Sequence, residues 1–345
     1  MRILILGTFL SSAVGTRAVS EDLGEHLAAS GWSVTMRSRA RLRTARLLDT
    51  VGSAWRRRGD YSVGLVDVFS GRAFFLAEAA CWTLRRAKKP YILALHGGAL
   101  PAFARRWPRR VRRLVESATV VAMPSRYLAA ELGPFRVPIH IVPNPISLAC
   151  YPFRVRTTPK PCLIWLRSFH RVYDPVLACH VLARLRRDYP EARLVMIGPD
   201  KRDGSLERVQ SAIEALGLGD RVELPGPIAK RDVPRWLSGS DVFLNTTSID
   251  NAPVSVLEAQ ACGLCVVSTQ AGGLPYVLAD EQDALLVPDR DPDALAAAVR
   301  RILTEPGLGE RLSRGGRMKA AGHDWEVVLP EWRRLFQSAG SREAP

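Results

Sequence analysis

Short continuous apolar runs recur along the chain, separated by stretches whose apolar positions fall three or four residues apart. Ile3–Leu6 is the first run; Val19, Leu23 and Leu27 follow at helical spacing, and Gly31 closes that pattern. Further runs stand near Ser33–Met36, Ser62–Val66, Tyr91–Leu95, Thr119–Ala122 and Ile139–Val142. Beyond a proline-rich stretch the alternation resumes with Cys162–Leu166, Arg193–Ile197 and Arg221–Leu224. Unbroken rather than alternating apolar runs mark strands buried on both faces. Strands separated by helices predict an α/β fold with open parallel sheets covered on both sides.

Two such series in 345 residues fit two domains rather than one core. Prolines stiffen Val142-Pro143-Asn144-Pro145-Ile146, and the boundary is expected near 150–160, giving domains over 1–155 and 156–325. No apolar run approaches the ~20 residues of a membrane span. The opening MRILILGTFLSSAVGT has a short apolar core broken by Gly7, with an amphipathic helix directly after it. It reads as a first buried strand rather than a signal peptide, so the expected location is cytoplasmic. The loop after that strand, with Gly15 near its end, is a candidate phosphate or substrate cradle; the alternative is an ordinary strand-to-helix turn.

In such sheets ligands bind beyond the carboxyl ends of the strands. That rule selects Asp67 and His96-Gly97-Gly98, each read as directly following a strand. The two glycines let backbone and ligand approach closely, so His96 is either a site histidine or a structural one.

The densest chemistry lies between Asp241 and Leu278: a buried strand, a polar loop, a helix, a second buried strand and a Gly-Gly loop. Pro253 suits a first helical turn, leaving the N–H groups of Val254 and Ser255 and the helix dipole to meet an anionic group. Asp250 and Glu258 bracket seven residues, and Glu258-Ala259-Gln260-Ala261-Cys262-Gly263 follows. This stretch resembles the donor-binding signature of family 4 glycosyltransferases, two glutamates seven residues apart followed by Ala-x-Ala-x-Gly. Asp250 replaces the first glutamate. Arg167, directly after Cys162–Leu166, matches the family's Gly-Arg. Tyr173 stands near the place of its lysine, and Arg171 is a candidate substitute. Gly272-Gly273-Leu274-Pro275 matches Gly-Gly-x-Pro, with Tyr276 where a glutamate is usual. Pro143-Asn144-Pro145 and His323-Asp324-Trp325 resemble the family's domain-closing turns.

The resemblance implies a GT-B architecture: two facing Rossmann-like domains with the site in an interdomain cleft. It implies an acceptor-binding first domain, a donor-binding second domain, and a segment over 326–345 whose helix crosses back to the first. The implied reaction moves a sugar, with retention, from a nucleotide diphosphate sugar to an acceptor glycan, lipid or small molecule. Its implied catalytic residues are His96, Asp250 and Arg167. Donor contacts are implied for Gly15, Arg167, Arg171, Ile228, Asp250, Asn251, Pro253, Val254 and Glu258, with Glu258 on the ribose and the Ile228 loop against the base.

Metal ions and cofactors have no expected role. Asp289-Arg290-Asp291 imitates a metal-binding Asp-x-Asp, but Asp291-Pro292 before a helical run reads as an N-cap. Cys262 and Cys265 form a CxxC that reads as a buried turn, since no second pair completes a zinc site.

The charge of +15 is lopsided: residues 1–150 hold 23 Lys+Arg and 9 Asp+Glu, a net +14. The first domain is expected to meet something anionic, such as a membrane surface. Arg105, Arg106, Arg109, Arg110, Arg112 and Arg113, read as crowding one helix with Phe103 and Trp107, form either an interfacial segment or a solvated basic face. Trp55-Arg56-Arg57-Arg58 is a candidate extension. No specific nucleic-acid module is present, which leaves a polyanion-binding protein as a lesser alternative. A nucleotide-sugar epimerase or hydrolase of the same fold is the nearer one. A dinucleotide oxidoreductase lacks its glycine fingerprint here.

Overall fold

The computed structural model describes residues 1–7, 9, 18–37 and 42–341. Gly15, the candidate cradle residue, lies outside the described residues. The chain divides into two compact units: one runs to Asn144 and resumes at Glu326, and the other is Pro145–Trp325.

The first unit holds a six-stranded sheet of β1 (Arg2–Leu6), β2 (Ser33–Arg37), β3 (Val63–Val68), β4 (Tyr91–Leu95), β5 (Val120–Met123) and β6 (Ile139–Ile141), ordered β2-β1-β3-β4-β5-β6. Every pairing is parallel. All residues of β3, β4 and β5 are buried, which is why those runs are apolar without alternation. Helices such as Val19–Ala29 and Arg72–Arg86 connect the strands. Helix Trp325–Gly340 belongs to this unit from Glu326 onward. Its Phe336 ring meets Trp32 at 6.1 Å.

The second unit repeats the plan with β7 (Cys162–Leu166), β8 (Arg193–Ile197), β9 (Val222–Gly226), β10 (Val242–Asn245), β11 (Cys265–Thr269) and β12 (Leu285–Val287). Their order is β12-β11-β10-β7-β8-β9, again all parallel. The order reverses between β7 and β10, and between β1 and β3 in the first sheet. Crevices for ligands open beyond the strand ends at such reversals.

Several expectations need correction. Asp67 is the penultimate residue of β3 rather than its successor. The basic stretch forms two helices, Leu100–Arg106 and Pro108–Val115, broken at Trp107 with φ −130° and ψ 55°. A proline disfavours helical backbone in the residue before it. Pro253 is the N-cap, with ψ 122°, and the helix proper begins at Val254.

The 1–155 range also runs too far. Residues from Pro145 belong to the second unit because they are pinned there. The Ile146 N–H donates to the His323 carbonyl at 2.8 Å, and the Leu148 N–H to the Asp324 carboxylate at 2.7 Å. Arg156, 1% exposed, reaches Asp241 at 3.3 Å and the Ser240 carbonyl at 2.9 Å.

Candidate functional site

In the second unit, Arg167 follows β7 and Asp250 lies in the loop after β10, one on each side of the strand-order reversal. Their side chains form an ion pair. The Arg167 guanidinium also lies over the Tyr173 ring, 4.3 Å from its centroid. Burial pushes the Arg167 guanidinium below its ordinary pKa, with Tyr173 and Glu258 opposing the shift. Tyr173 therefore underlies Arg167 where the resemblance led one to expect a second cation.

Glycines shape this corner. A Cβ on Gly198 would collide with the Arg167 carbonyl, and Cβ atoms on Gly272 and Gly273 with the carbonyls of Asp250 and Asn251. Gly272 has φ +61°, and the Gly273 N–H donates to the Asp250 carbonyl at 2.8 Å. The Gly-Gly pair thus clamps the loop that carries Asp250 and Asn251.

Helix Val254–Ala261 is buried along nearly its whole length, and no side chain caps its first turn. Glu258 is 3% exposed. Its Oε1 accepts from the Tyr151 hydroxyl at 2.5 Å and from the Lys230 ammonium. A buried carboxylate needs such donors. Ile228 is half-buried and packs on the core beneath this helix, two residues past Gly226, whose φ is +77°.

Arg171 stands apart. It opens the turn Arg171–Tyr173 and is exposed; its side chain forms no ion pair among the described residues. Its backbone N–H donates to Asp203 at 2.9 Å.

The decoy motifs have structural work. The Asp291 carboxylate accepts from the Asp293 and Ala294 N–H groups at 3.0 and 2.9 Å, with Pro292 opening the helix. No group of three or more potential metal ligands occurs among the described residues. Cys262 and Cys265 are buried, and burial pushes their thiols up to about 11 and about 12.

In the first unit, Asp67 is 8% exposed and accepts from the Ser20 hydroxyl. Its other oxygen lies 3.1 Å from His96 Nε2. The carboxylate oxygen accepts from Nε2 in the tautomer that carries its proton there. The imidazole stacks on Phe69 at 5.1 Å. A Cβ on Gly7 would press against the Asp67 carboxylate.

The basic surface is partly neutralised. Arg110 makes a two-pronged pair with Glu78, Arg105 meets Glu131 at 2.9 Å, and Arg112 meets Glu116 at 3.0 Å. Phe103 faces inward, 4.9 Å from Phe74, and so is not an interfacial side chain. Trp107 is 45% exposed beneath Arg106. The Arg110–Glu78 bridge ties its helix to Arg72–Arg86, where Trp82 is 53% and Phe75 56% exposed. Arg86 lies over Trp82 at 5.3 Å. Trp55 is likewise exposed, under Arg58.

Lys230, Tyr151 and the exposed Trp82 were not singled out from sequence. Lys230 lies 28 and Tyr151 107 positions from Glu258, beyond any local spacing rule. The exposed Phe75 and Trp82, seven apart on one helix, were the legible signal for the other surface.

Residues 154–319 match a family model described as glycosyl transferases group 1. A D-inositol 3-phosphate glycosyltransferase from Frankia alni is 30% identical over 189 residues, covering 53% of this chain and 46% of the relative. A GDP-mannose-dependent alpha-(1-6)-phosphatidylinositol monomannoside mannosyltransferase from Mycolicibacterium smegmatis is 27% identical, covering 68% and 65%. The chain thus spans less than two thirds of either relative. Among solved structures, sucrose-phosphate synthase from Thermosynechococcus elongatus superposes with TM-score 0.81 at 20% identity over 98% of both chains. Anabaena HepE in complex with UDP-glucose gives 0.77 at 15% identity, over 98% of this chain and all of that one. The fold, two six-stranded parallel sheets flanked by helices, is that of GT-B glycosyltransferases.

Proposed function

We propose that the chain is a retaining glycosyltransferase of family 4, moving a sugar from a nucleoside diphosphate sugar to an acceptor. The observation that carries this reading is the meeting of Arg167 and Asp250 at the strand-order reversal, beside a buried helix that presents Glu258.

In the reaction the bond from the anomeric carbon to the leaving phosphate oxygen breaks with its electron pair staying on the diphosphate, while the acceptor hydroxyl oxygen bonds to that carbon and its proton passes to the departing phosphate oxygen. Arg167 and the uncapped N–H groups at Val254 and Ser255 stabilise that charge in place, with no metal or cofactor assigned. Asp250 and Asn251 hold the sugar, Glu258 takes the ribose hydroxyls, and the Ile228 loop lies on the base. In the first unit His96, held by Asp67, is assigned as the catalytic histidine. Arg171 is assigned to the diphosphate as a solvent-side cation; undiminished donor affinity in Arg171→Ala would remove it.

The acceptor side is assigned to the basic first unit, working at the inner face of a membrane on a lipid or envelope glycan. No helix among the described residues is long and apolar enough to cross a membrane. The exposed Trp82 and Trp107 beneath arginines suit headgroup-level contact.

Thermal shifts with UDP, GDP and ADP and their sugar conjugates test the reading. A ligand at a hundred times its Kd stabilises by about 2.7 kcal/mol. One nucleotide class should shift wild type and not Arg167→Ala. No shift with any class would refute it; donor consumption by protein alone would favour a hydrolase or epimerase.

A further inference from the structure

Glu258 Oε1 is already occupied twice. The Tyr151 hydroxyl and the Lys230 ammonium both donate to it. A carboxylate oxygen offers two lone pairs, so Oε1 has none left. A vicinal diol that bridges a carboxylate needs one lone pair on each oxygen. One of the two donors must therefore leave when a ribose binds.

The two donors are not equivalent. Tyr151 is 5% exposed, and moving its hydroxyl away would leave a buried phenol without an acceptor. The Lys230 side chain is 45% exposed, against 4% for Glu258, so its ammonium sits at the lip of the site and can move without a burial penalty. It follows the loop after Gly226, in the short turn Lys230–Asp232.

Charge points to where it goes. Arg167 pairs with Asp250 and Lys230 with Glu258, so these four groups sum to zero before a ligand arrives. Arg167 also feels the Glu258 charge, which places both cations within electrostatic reach of one carboxylate. A nucleoside diphosphate adds negative charge to that neutral set.

We propose that Lys230 is a diphosphate ligand that exchanges partners: the ribose diol displaces it from Glu258 Oε1, and its ammonium then pairs with the phosphates. This rests on the nucleotide-sugar reading above. It gives the site a mobile cation from the β9 loop beside the fixed Arg167, whose neighbour Tyr173 supplies a ring rather than a charge. It also makes diphosphate and nucleoside recognition separable: Lys230 competes with the nucleoside's diol and assists the diphosphate.

The experiment titrates wild type, Lys230→Met and Lys230→Arg with UDP, GDP and ADP and with uridine, guanosine and adenosine. Melts of the unliganded variants establish that each is folded. The diphosphate that binds wild type should bind Lys230→Met about tenfold or more weakly. The matching nucleoside should bind Lys230→Met at least as well as wild type, and Lys230→Arg should keep most diphosphate affinity. Parallel loss of nucleoside and diphosphate would overturn the proposal and leave Lys230 as a brace for Glu258. No loss of either would overturn it too. Failure of every diphosphate on wild type would instead strike the nucleotide reading itself.

Discussion

Gly198 lies so close to the carbonyl of Arg167 that no side chain fits between them. The contact joins the end of β8 to the first residue after β7 and so fixes the backbone that launches the Arg167 guanidinium. Gly198→Ala should cost about 1–3 kcal/mol, because backbone rather than a flexible side chain must yield. Nucleotide affinity should fall with it. Gly219→Ala, which meets nothing within 4 Å, is the control and should leave the urea midpoint near wild type.

Asp67 holds a buried hydroxyl and an imidazole together, so its removal strands both. Asp67→Ala should destabilise by about 1–3 kcal/mol, the usual cost of unpaired buried donors. Asp67→Asn keeps one carbonyl acceptor and should fall between. Urea unfolding of the three proteins orders them; equal midpoints would refute the assignment.

The CxxC thiols should be inert. Burial holds Cys262 and Cys265 at about 11 and about 12, so neither is appreciably a thiolate near pH 8. Exposed Cys150 should take up iodoacetamide first, read by peptide mass spectrometry. The linkage sign follows. An unfolded thiol titrates near ~8.5. The stability from keeping these two neutral is whole below that pH and declines as pH rises towards 11–12.

Membrane affinity should depend on aromatic and basic residues together. Wild type should sediment with vesicles containing phosphatidylglycerol, less so as salt rises, and not with phosphatidylcholine alone. Trp82→Ser with Trp107→Ser should weaken this on the order of tenfold. Neutralising Arg106, Arg109 and Arg113 should do at least as much. Binding that survives both sets would move the contact to another face, with Trp55 and its arginines the next to test.

Buried strands were the most legible part of the sequence. Tyr91–Leu95, Cys162–Leu166 and Arg193–Ile197 appear with the expected limits because a strand covered on both faces leaves an unbroken apolar run. β12, three residues long, is too short to show a pattern and went unread. Asp67 reads as following its strand because a charged residue interrupts the run; a hydroxyl and an imidazole are what allow it inside. The family resemblance points to Arg167, Asp250 and Glu258, but not to what holds them. The Tyr151 and Lys230 contacts with Glu258 arise only when the chain folds back on itself. The run of arginines marks the basic stretch in the sequence, whereas the inward turn of Phe103 and the outward turn of Trp82 depend on how their helices pack.

The Ile146–Asp324 bridge sets the chain's two crossings side by side, with the Trp325 N–H donating to the Ile146 carbonyl at 3.1 Å. In order of synthesis, the second unit is an insertion within the first. Once Trp325 has emerged from the ribosome, the unit from Pro145 has all its strands and can close. The first unit, begun earlier, still lacks the helix that brings Phe336 to Trp32. The half of the chain made first is therefore finished last, and until then it keeps an apolar face open to chaperones and proteases.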